Sequence, residues 1–427
     1  MTGDEMHALM AELFPICRSI TGNGLRETLR HVAARIPLDL TEVPSGTRVL
    51  DWTVPNEWNV RDAWIEGPGG ERIVDFHACN LHLMSYSTPV RRRMTLAELR
   101  PHLHTLPDQP DWIPYRTSYY EENWGFCLRH RVFETLLDGE YEVRIDTTLE
   151  PGSLTYGECI VPGDGTDEVL ISTHCCHPSL ANDNLSGIAV AVGLARHVLA
   201  LPRRRYTYRF LFIPGTIGAI AWLARNDGAA TTRIRHGLVL TGLGDRGPLT
   251  YKRSRQGNAV IDHAAAHVVG QADRAGTVRD FSPYGYDERQ YCSPGFDLPV
   301  GRLSRTPHGE YPEYHTSADD LAFVRPERLA DSLSTLAEIV EILEHDARYV
   351  NTHPKGEPQL GRRGLYGGVG GARLPGYEMA LLWVLNGSDG RLSLLDIAER
   401  AGLPFQVIQQ AAAHLLEHGL LREPPPS

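Results

Sequence analysis

Lysine is nearly missing from this chain: Lys252 and Lys355 are the only two in 427 residues, so almost all positive charge is carried by arginine. That bias says nothing about function, but the overall deficit of positive charge does. Forty-two Lys and Arg face 53 Asp and Glu, a net charge of −11, whereas nonspecific nucleic-acid binding needs a cationic surplus to displace counterions from phosphates. Cysteine is scarce, odd in number and scattered (Cys17, Cys79, Cys127, Cys159, Cys175, Cys176, Cys292). This excludes a disulfide framework and points to reduced, buried thiols. No stretch approaches the roughly 18 consecutive apolar residues of a membrane span. The opening MTGDEMHALMAELF has acids where a secretory leader carries positive charge, so the chain is expected in the cytoplasm and away from membranes. What is present, 42% hydrophobic and 22% charged residues, is a globular composition, and the length predicts two or three packed units.

The texture changes along the chain. Met6, Met10, Leu13 and Phe14 share one helical face, and a second helical period runs from Leu25 to Ile36. From about Arg48 to Tyr141 the sequence is rich in Trp, Val and Ile and is broken at short intervals by Pro and Gly, which is strand and turn texture. Strands then alternate with helices: Glu168 to His174, Leu185 to Ala200, Tyr208 to Ile213, Ile217 to Arg225, Gly237 to Leu243. Such alternation predicts an α/β unit with a mostly parallel sheet covered by helices on both faces, whose ligands bind beyond the carboxyl ends of the strands. Pro326 to His345 reads as a long amphipathic helix with proline in its first turn. A Gly-rich linker follows, and then three short helices, Glu378 to Leu385, Leu394 to Ala401 and Phe405 to His418. With Ser393 as an N-cap, Gly419 as a stop and the LLRE strand after them, they make a winged-helix-like unit. The predicted organisation is therefore residues 1–47 as the helical start of the core, 48–141 as a β-rich insert, 142–350 as the α/β core, 351–376 as linker and 377–427 as the winged helix.

The segment from Ile171 to Gly187, ISTHCCHPSLANDNLSG, sets His174 and His177 just after a strand and Asp183 just before a helix. Imidazole and carboxylate converging on one point suit a zinc-like cation; equally, the histidines could close the strand and Asp183 could cap the helix. A second segment, PHGEYPEYHTSADD from Pro307 to Asp320, is rich in carboxylate and histidine and precedes the long helix.

With both segments in view, the sequence resembles the zinc aminopeptidase superfamily of bacterial leucyl aminopeptidases and glutamate carboxypeptidases. Ala181 to Gly187 looks like its bridging-aspartate loop, and Tyr314-His315 with Asp319 looks like its late ligand motif. More closely, LFPICRSITG, CHPSLANDNLSG, YDERQYCSPGF and EYHTSADD resemble a bacterial aminopeptidase-like family with an inserted β-rich domain and a C-terminal winged helix. The resemblance implies a peptidase-like core and a metal-dependent hydrolase of a peptide or amide bond in a small substrate, with metal-activated water as nucleophile.

The chain departs from that superfamily where its two-zinc members carry a Glu-Glu pair, one general base and one ligand. Here the turn reads Ile213-Pro-Gly-Thr-Ile217, with Gly215 and Thr216. The next strand should end in a ligand aspartate, yet the sole acid nearby is the displaced Asp245. One zinc ion is therefore expected, held by His174 or His177 with Asp183 and His315. The base must come from elsewhere: Glu310 and Glu313, close in sequence to His315, are the first candidates, then Asp287 and Glu288. Asp287, Glu288 and Arg289 are also candidates for substrate binding, with an ion pair to the adjacent Arg289 as the simpler role for the two acids.

From Tyr377 onward three arginines face six acids, a net charge of −3. A recognition module shows a basic face, so this unit reads as a protein-contact or dimerisation module or as packing against its own chain. Two rivals to the hydrolase stand beside it. One is a binding protein of a biosynthetic pathway that keeps the fold without hydrolysis, favoured by the missing Glu-Glu pair. The other is a transcriptional regulator with a sensory domain, which the acidic winged helix opposes.

Overall fold

Eight strands form the central sheet of the computed structural model, which describes residues 1–271, 274–365 and 376–425. Their order is Asp39–Pro44, Ser153–Val161, Thr207–Ile213, Glu168–His174, Ile234–Leu240, Val300–Ser304, Thr250–Lys252, Thr277–Arg279. The four middle strands run parallel, and the two on the first edge are antiparallel to their neighbours. Side chains alternate across this sheet as its pleat demands. Val169, Ile171, Phe210, Phe212, Leu238 and Leu240 enter one core with the helices Gly3–Leu13, Gly187–Ala200, Val260–Val269 and Pro326–His345. Leu170, Leu211, Ile213 and Val239 enter the other, beneath the helix Ile217–Asn226. The predicted third strand, Gly237 to Leu243, lies three residues earlier, because Thr241 to Leu243 leave the sheet to meet the Asn182–Ser186 loop.

The strand Glu168–His174 has Thr207–Ile213 on one side and Ile234–Leu240 on the other, so the chain reverses its direction of progress across the sheet at its carboxyl end. Such a reversal opens a crevice where ligands bind in parallel sheets. His174 is the last residue of that strand.

The insert folds as a four-stranded antiparallel sheet, Arg72–Asp75, Glu57–Glu66, Glu140–Glu150, Val90–Thr95. Its last strand runs to Glu150, past the residue 141 at which strand-and-turn texture suggested an end, and only Pro151 and Gly152 separate it from the next strand of the main sheet. The insert has no separate core: Ile65, Val74, Tyr141, Val143 and Ile145 belong to the same cluster as Leu211 and Trp222. Arg26, from the helix Asn23–Ala33, clamps the seam by pairing with Glu57 of the insert and with Glu42.

The C-terminal unit has helices Tyr377–Gly387, Leu394–Ala401 and Phe405–Glu417 and a three-stranded sheet. The middle strand of that sheet is Arg348–Asn351, which directly follows the long helix, so the unit takes in residues that local texture assigned to the core. Residues 366–375 of the expected linker lie outside the described residues. Ser393 caps its helix in a capping box with Asp396. The last helix packs on its own chain, with Gln409 bonded to Glu341 and the preceding helix contributing Glu399 to His263. Among the described residues no helix is long and apolar enough to cross a membrane.

Candidate metal centre

Asp183 is the hub of the site. It is buried in the loop Ala181–Ser186, and three imidazoles converge on its carboxylate. His174 Nε2 lies 2.9 Å from Oδ1; His315 Nε2 and His177 Nε2 lie 3.0 and 3.9 Å from Oδ2. Donor atoms of His174, His177 and Asp183 all fall within 4.8 Å of one another. Burial pushes the Asp183 carboxyl up, but the His177, His174 and His315 rings outweigh it and hold the group well below the usual carboxylate range. Burial also pushes His177 down to about 3, which keeps that ring neutral and its lone pair free.

Asp183 Oδ2 and His315 Nε2 are both buried and, though 3.0 Å apart, make no well-directed hydrogen bond with each other or with another described group. Polar atoms stranded in this way are costly unless something else satisfies them. The neutral His177 ring, two further imidazoles and one ionised carboxylate, converging on one buried point, fit a zinc-type cation. The thiols do not join them: burial raises Cys176 to about 12 and Cys175 well above its usual value, so both are protonated.

Several elements hold these groups. Asp319, from the late motif, does not reach the cluster as a ligand; its two oxygens accept the backbone N–H groups of Asn182 and Asp183 at 2.6 and 2.9 Å. Burial pushes its carboxyl up to about 8, against those two donors. Asn184 bonds to Thr173 Oγ1 and to the His174 carbonyl, fixing the loop on the strand end. Arg18, in the LFPICRSITG segment, is buried and donates to the carbonyls of His177 (3.0 Å) and Leu13 (2.5 Å). His315 has φ of 57°, a left-handed conformation unfavourable for a non-glycine. Insert residues hold it there: Tyr115 N donates to the His315 carbonyl at 2.8 Å, and Ser317 N to that of Ile113 at 2.8 Å.

The candidate bases separate sharply. Glu310 points outward into an exposed bidentate pair with Arg279, so its nearness to His315 in sequence is not nearness in space. The Glu313 carboxylate has no hydrogen bond or ion pair among the described residues; only its carbonyl is used, by Thr316. Glu288 is fully buried and pairs with Lys252 at 2.8 Å and Arg302 at 3.6 Å, not with Arg289. Arg289 Nε is itself buried without a partner. Asp245 is spent on Asn182, Thr306 and Gly247.

Asp287 is different. It is buried, and its Oδ1 accepts the Thr216 N–H at 2.6 Å, on the very turn that lacks carboxylates. A side chain added at Gly215 would lie 3.6 Å from His174 Cβ, so that turn abuts the cluster. Burial raises the Asp287 carboxyl to about 6, with His174 nearby pulling the other way.

Aromatic residues wall the site, and sequence reasoning quoted their motifs without singling them out. Tyr286 stacks on His174 (centroids 4.8 Å apart) and donates from its hydroxyl to Asp183 Oδ1 at 3.1 Å. Tyr314 stacks on His315 at 3.9 Å, and Tyr115 of the insert meets the rings of His177 and His315 edge-on. The signal available in the sequence was the tyrosine spacing within YGYDERQY and EYPEYH. A cavity of about 530 Å³ opens beside Tyr115 and His315. A larger cleft of about 1110 Å³, at the seam between the N-terminal helices and the insert, contains none of the four cluster residues.

Comparison with known proteins agrees with this layout. Residues 7–346 match the family described as "Domain of unknown function (DUF4910)", and residues 347–423 match a winged helix-turn-helix family. A protein of Clostridium acetobutylicum named "Putative polysaccharide biosynthesis protein with aminopeptidase-like domain" is 50% identical over 422 residues, 99% of this chain and 96% of that one. A crystal structure of a "putative peptidase" from the same organism superposes with a TM-score of 0.93 at 49% identity, covering 98% of this chain and 96% of the other. A zinc aminopeptidase of Bacillus subtilis superposes with a TM-score of 0.58 at 12% identity, over 80% of this chain and 95% of that one, and so shares the fold.

Proposed function

The chain belongs to the family described as "Domain of unknown function (DUF4910)", and from that membership and the cluster geometry we propose that it is a metal-dependent hydrolase of a peptide or amide bond in a small substrate. The observation that carries the reading is the convergence of three imidazoles on the buried Asp183 carboxylate, with Asp183 Oδ2 and His315 Nε2 3.0 Å apart and without a well-directed hydrogen bond. His174, His177, Asp183 and His315 would hold one zinc ion. When bound, such an ion supplies Lewis acidity, polarising a carbonyl and lowering the pKa of water.

Asp287 takes the role of base. It accepts a proton from the water that adds to the substrate carbonyl and returns it to the departing amine, leaving a carboxylic acid and an amine as products. A carboxyl raised to about 6 is suited to both transfers near neutral pH. The Thr216 N–H holds one of its oxygens, and among the described residues no donor engages the other. Tyr286, bonded to Asp183, orients that carboxylate and covers His174.

The carboxylate-free turn at Gly215 and Thr216 favours a second reading, a binding protein of a biosynthetic pathway without turnover, in keeping with the name of the Clostridium relative. One experiment separates the two: metal analysis of the purified protein beside an aminopeptidase and amidase screen, with Asp183→Ala and His315→Ala as controls. The hydrolase reading expects metal and turnover in the parent and neither in Asp183→Ala. Metal without turnover supports the binding protein; no metal, none restoring activity, and both variants equal to the parent end the hydrolase reading. The winged helix, whose last helix carries no Lys or Arg and packs on the core, is proposed as a protein-contact or dimerisation module and not as a DNA reader.

A further inference from the structure

The cavity beside His315 differs in chemistry from a pocket for an apolar amino-acid side chain. Its volume, about 530 Å³, lies within the range of small-ligand sites. Met84 is its sole aliphatic lining residue. The wall is made by one short run of the insert, which presents opposite charges on Arg116 and Glu121, hydroxyls on Thr117 and Ser118, and the rings of Tyr119 and Tyr120.

That run is fixed. Ser85 N donates to the Arg116 carbonyl and Ser118 N to that of Ser85, both at 2.9 Å, and the hydroxyls of Tyr115 and Tyr119 bond at 2.7 Å. Tyr120 of that wall is 55% exposed, and Trp52, outside the wall and 38% exposed, meets its ring edge to face at 5.4 Å. Exposed apolar rings in contact with one another and beside a polar cavity mark a contact surface. Flat rings that offer electron-rich faces to C–H groups, next to paired donors and acceptors of both signs, complement a molecule that is apolar on its ring faces and hydroxylated at its edge.

We propose that this cavity is a saccharide subsite, so that the amide presented to the metal centre is borne on a sugar. The Tyr120 ring stacks on the sugar face, Arg116 and Glu121 bind its hydroxyl edge, and the Tyr115–His315 contact brings the amide to the cluster. The assignment of the amide rests on the hydrolase reading; the assignment of the sugar does not.

The test is a titration of the full-length protein, by calorimetry and saturation-transfer NMR, with N-acetylhexosamines, hexuronic acids, neutral hexoses and their disaccharides, and with tri-alanine as the peptide probe. At least one saccharide is expected to bind saturably, and Tyr120→Ala and Arg116→Ala each to weaken it about tenfold. Both residues are exposed, so the variants fold, which their melting curves check. Sugar binding is read on the parent protein with and without added zinc and needs no turnover, so failure of the hydrolase reading and failure of this one are distinguishable. No saturable saccharide binding up to about 10 mM, or binding indifferent to both substitutions, or saturable tri-alanine binding lost in both variants, overturns the proposal.

Discussion

The parallel core and the β-rich insert contribute to the site in different ways. The core delivers His174 from a strand end and Asp183 from the loop that follows, on a scaffold whose strands are buried on both faces. The insert delivers Tyr115 and the cavity wall from a run outside any helix or strand, held by a few backbone bonds to Ser85 and to the His315 loop. Of the cluster only His174 sits on the sheet itself; His177, Asp183 and His315, like the groups that line the cavity, come from loops and turns laid against it. The comparison also explains the missing Glu-Glu pair. The turn at Gly215 and Thr216 still abuts His174, but its carboxylate arrives from Asp287, more than 70 residues later in the chain.

The largest way to break this division is at that borrowed carboxylate. Asp287→Asn keeps an oxygen for the Thr216 N–H, yet turnover is expected to fall about 10²–10⁴-fold, and the acidic limb of the pH profile near 6 to disappear. The same substitution has a stability signature of definite sign. The folded-state pKa is raised from 3.8 to about 6, so ionisation opposes folding: the penalty is absent below 3.8 and grows as pH rises through 6. Melting curves of the metal-free proteins should therefore coincide below pH 3.8 and separate above 6, with Asp287→Asn the more stable. A variant less stable at every pH would show the carboxylate to be structural.

Next in size is a test of whether the insert is separate at all. Because Ile145 lies in a cluster continuous with the main sheet, Ile145→Ala is expected to cost about 2–5 kcal/mol and to lower one cooperative transition of core and insert together. Two resolved transitions in calorimetry would mean that the insert folds alone. The smallest effect is at the seam. Arg26 holds the Glu57 carboxyl down to about 2, so the pair adds stability above pH 4.5 that is lost as pH falls towards 2. Glu57→Gln should cost about 1 kcal/mol at neutral pH and nothing near pH 2, as read by urea unfolding.

Legibility followed locality. His174, His177 and Asp183 were readable because one short segment carries them between a strand and a helix. His315 was added by a resemblance of motif. Arg18 was visible as part of LFPICRSITG, but its role of donating to the His177 carbonyl joins residues 159 positions apart. Glu310 was misplaced for the converse reason, since the turn from Pro307 carries it out to Arg279 although it lies five residues from His315. Glu288 was paired in sequence with its neighbour Arg289, whereas burial drew it to Lys252, which adjoins it through the main sheet. The edge strands Asp39–Pro44 and Thr277–Arg279 escaped notice because a half-exposed short strand has little hydrophobic signature.

By itself the sequence determined the α/β core, the winged-helix unit and the short segment that brings His174, His177 and Asp183 together. Each of these rests on hydrophobic period, residue type or spacing within a few residues, which are properties of short stretches of chain. Only the tertiary structure decided that Asp287 meets the Gly215–Thr216 turn, that Asp319 holds the Asp183 loop, and that the insert walls a cavity at His315. Those outcomes depend on which side chains burial and sheet order bring together across tens to hundreds of residues, and no local pattern encodes that distance.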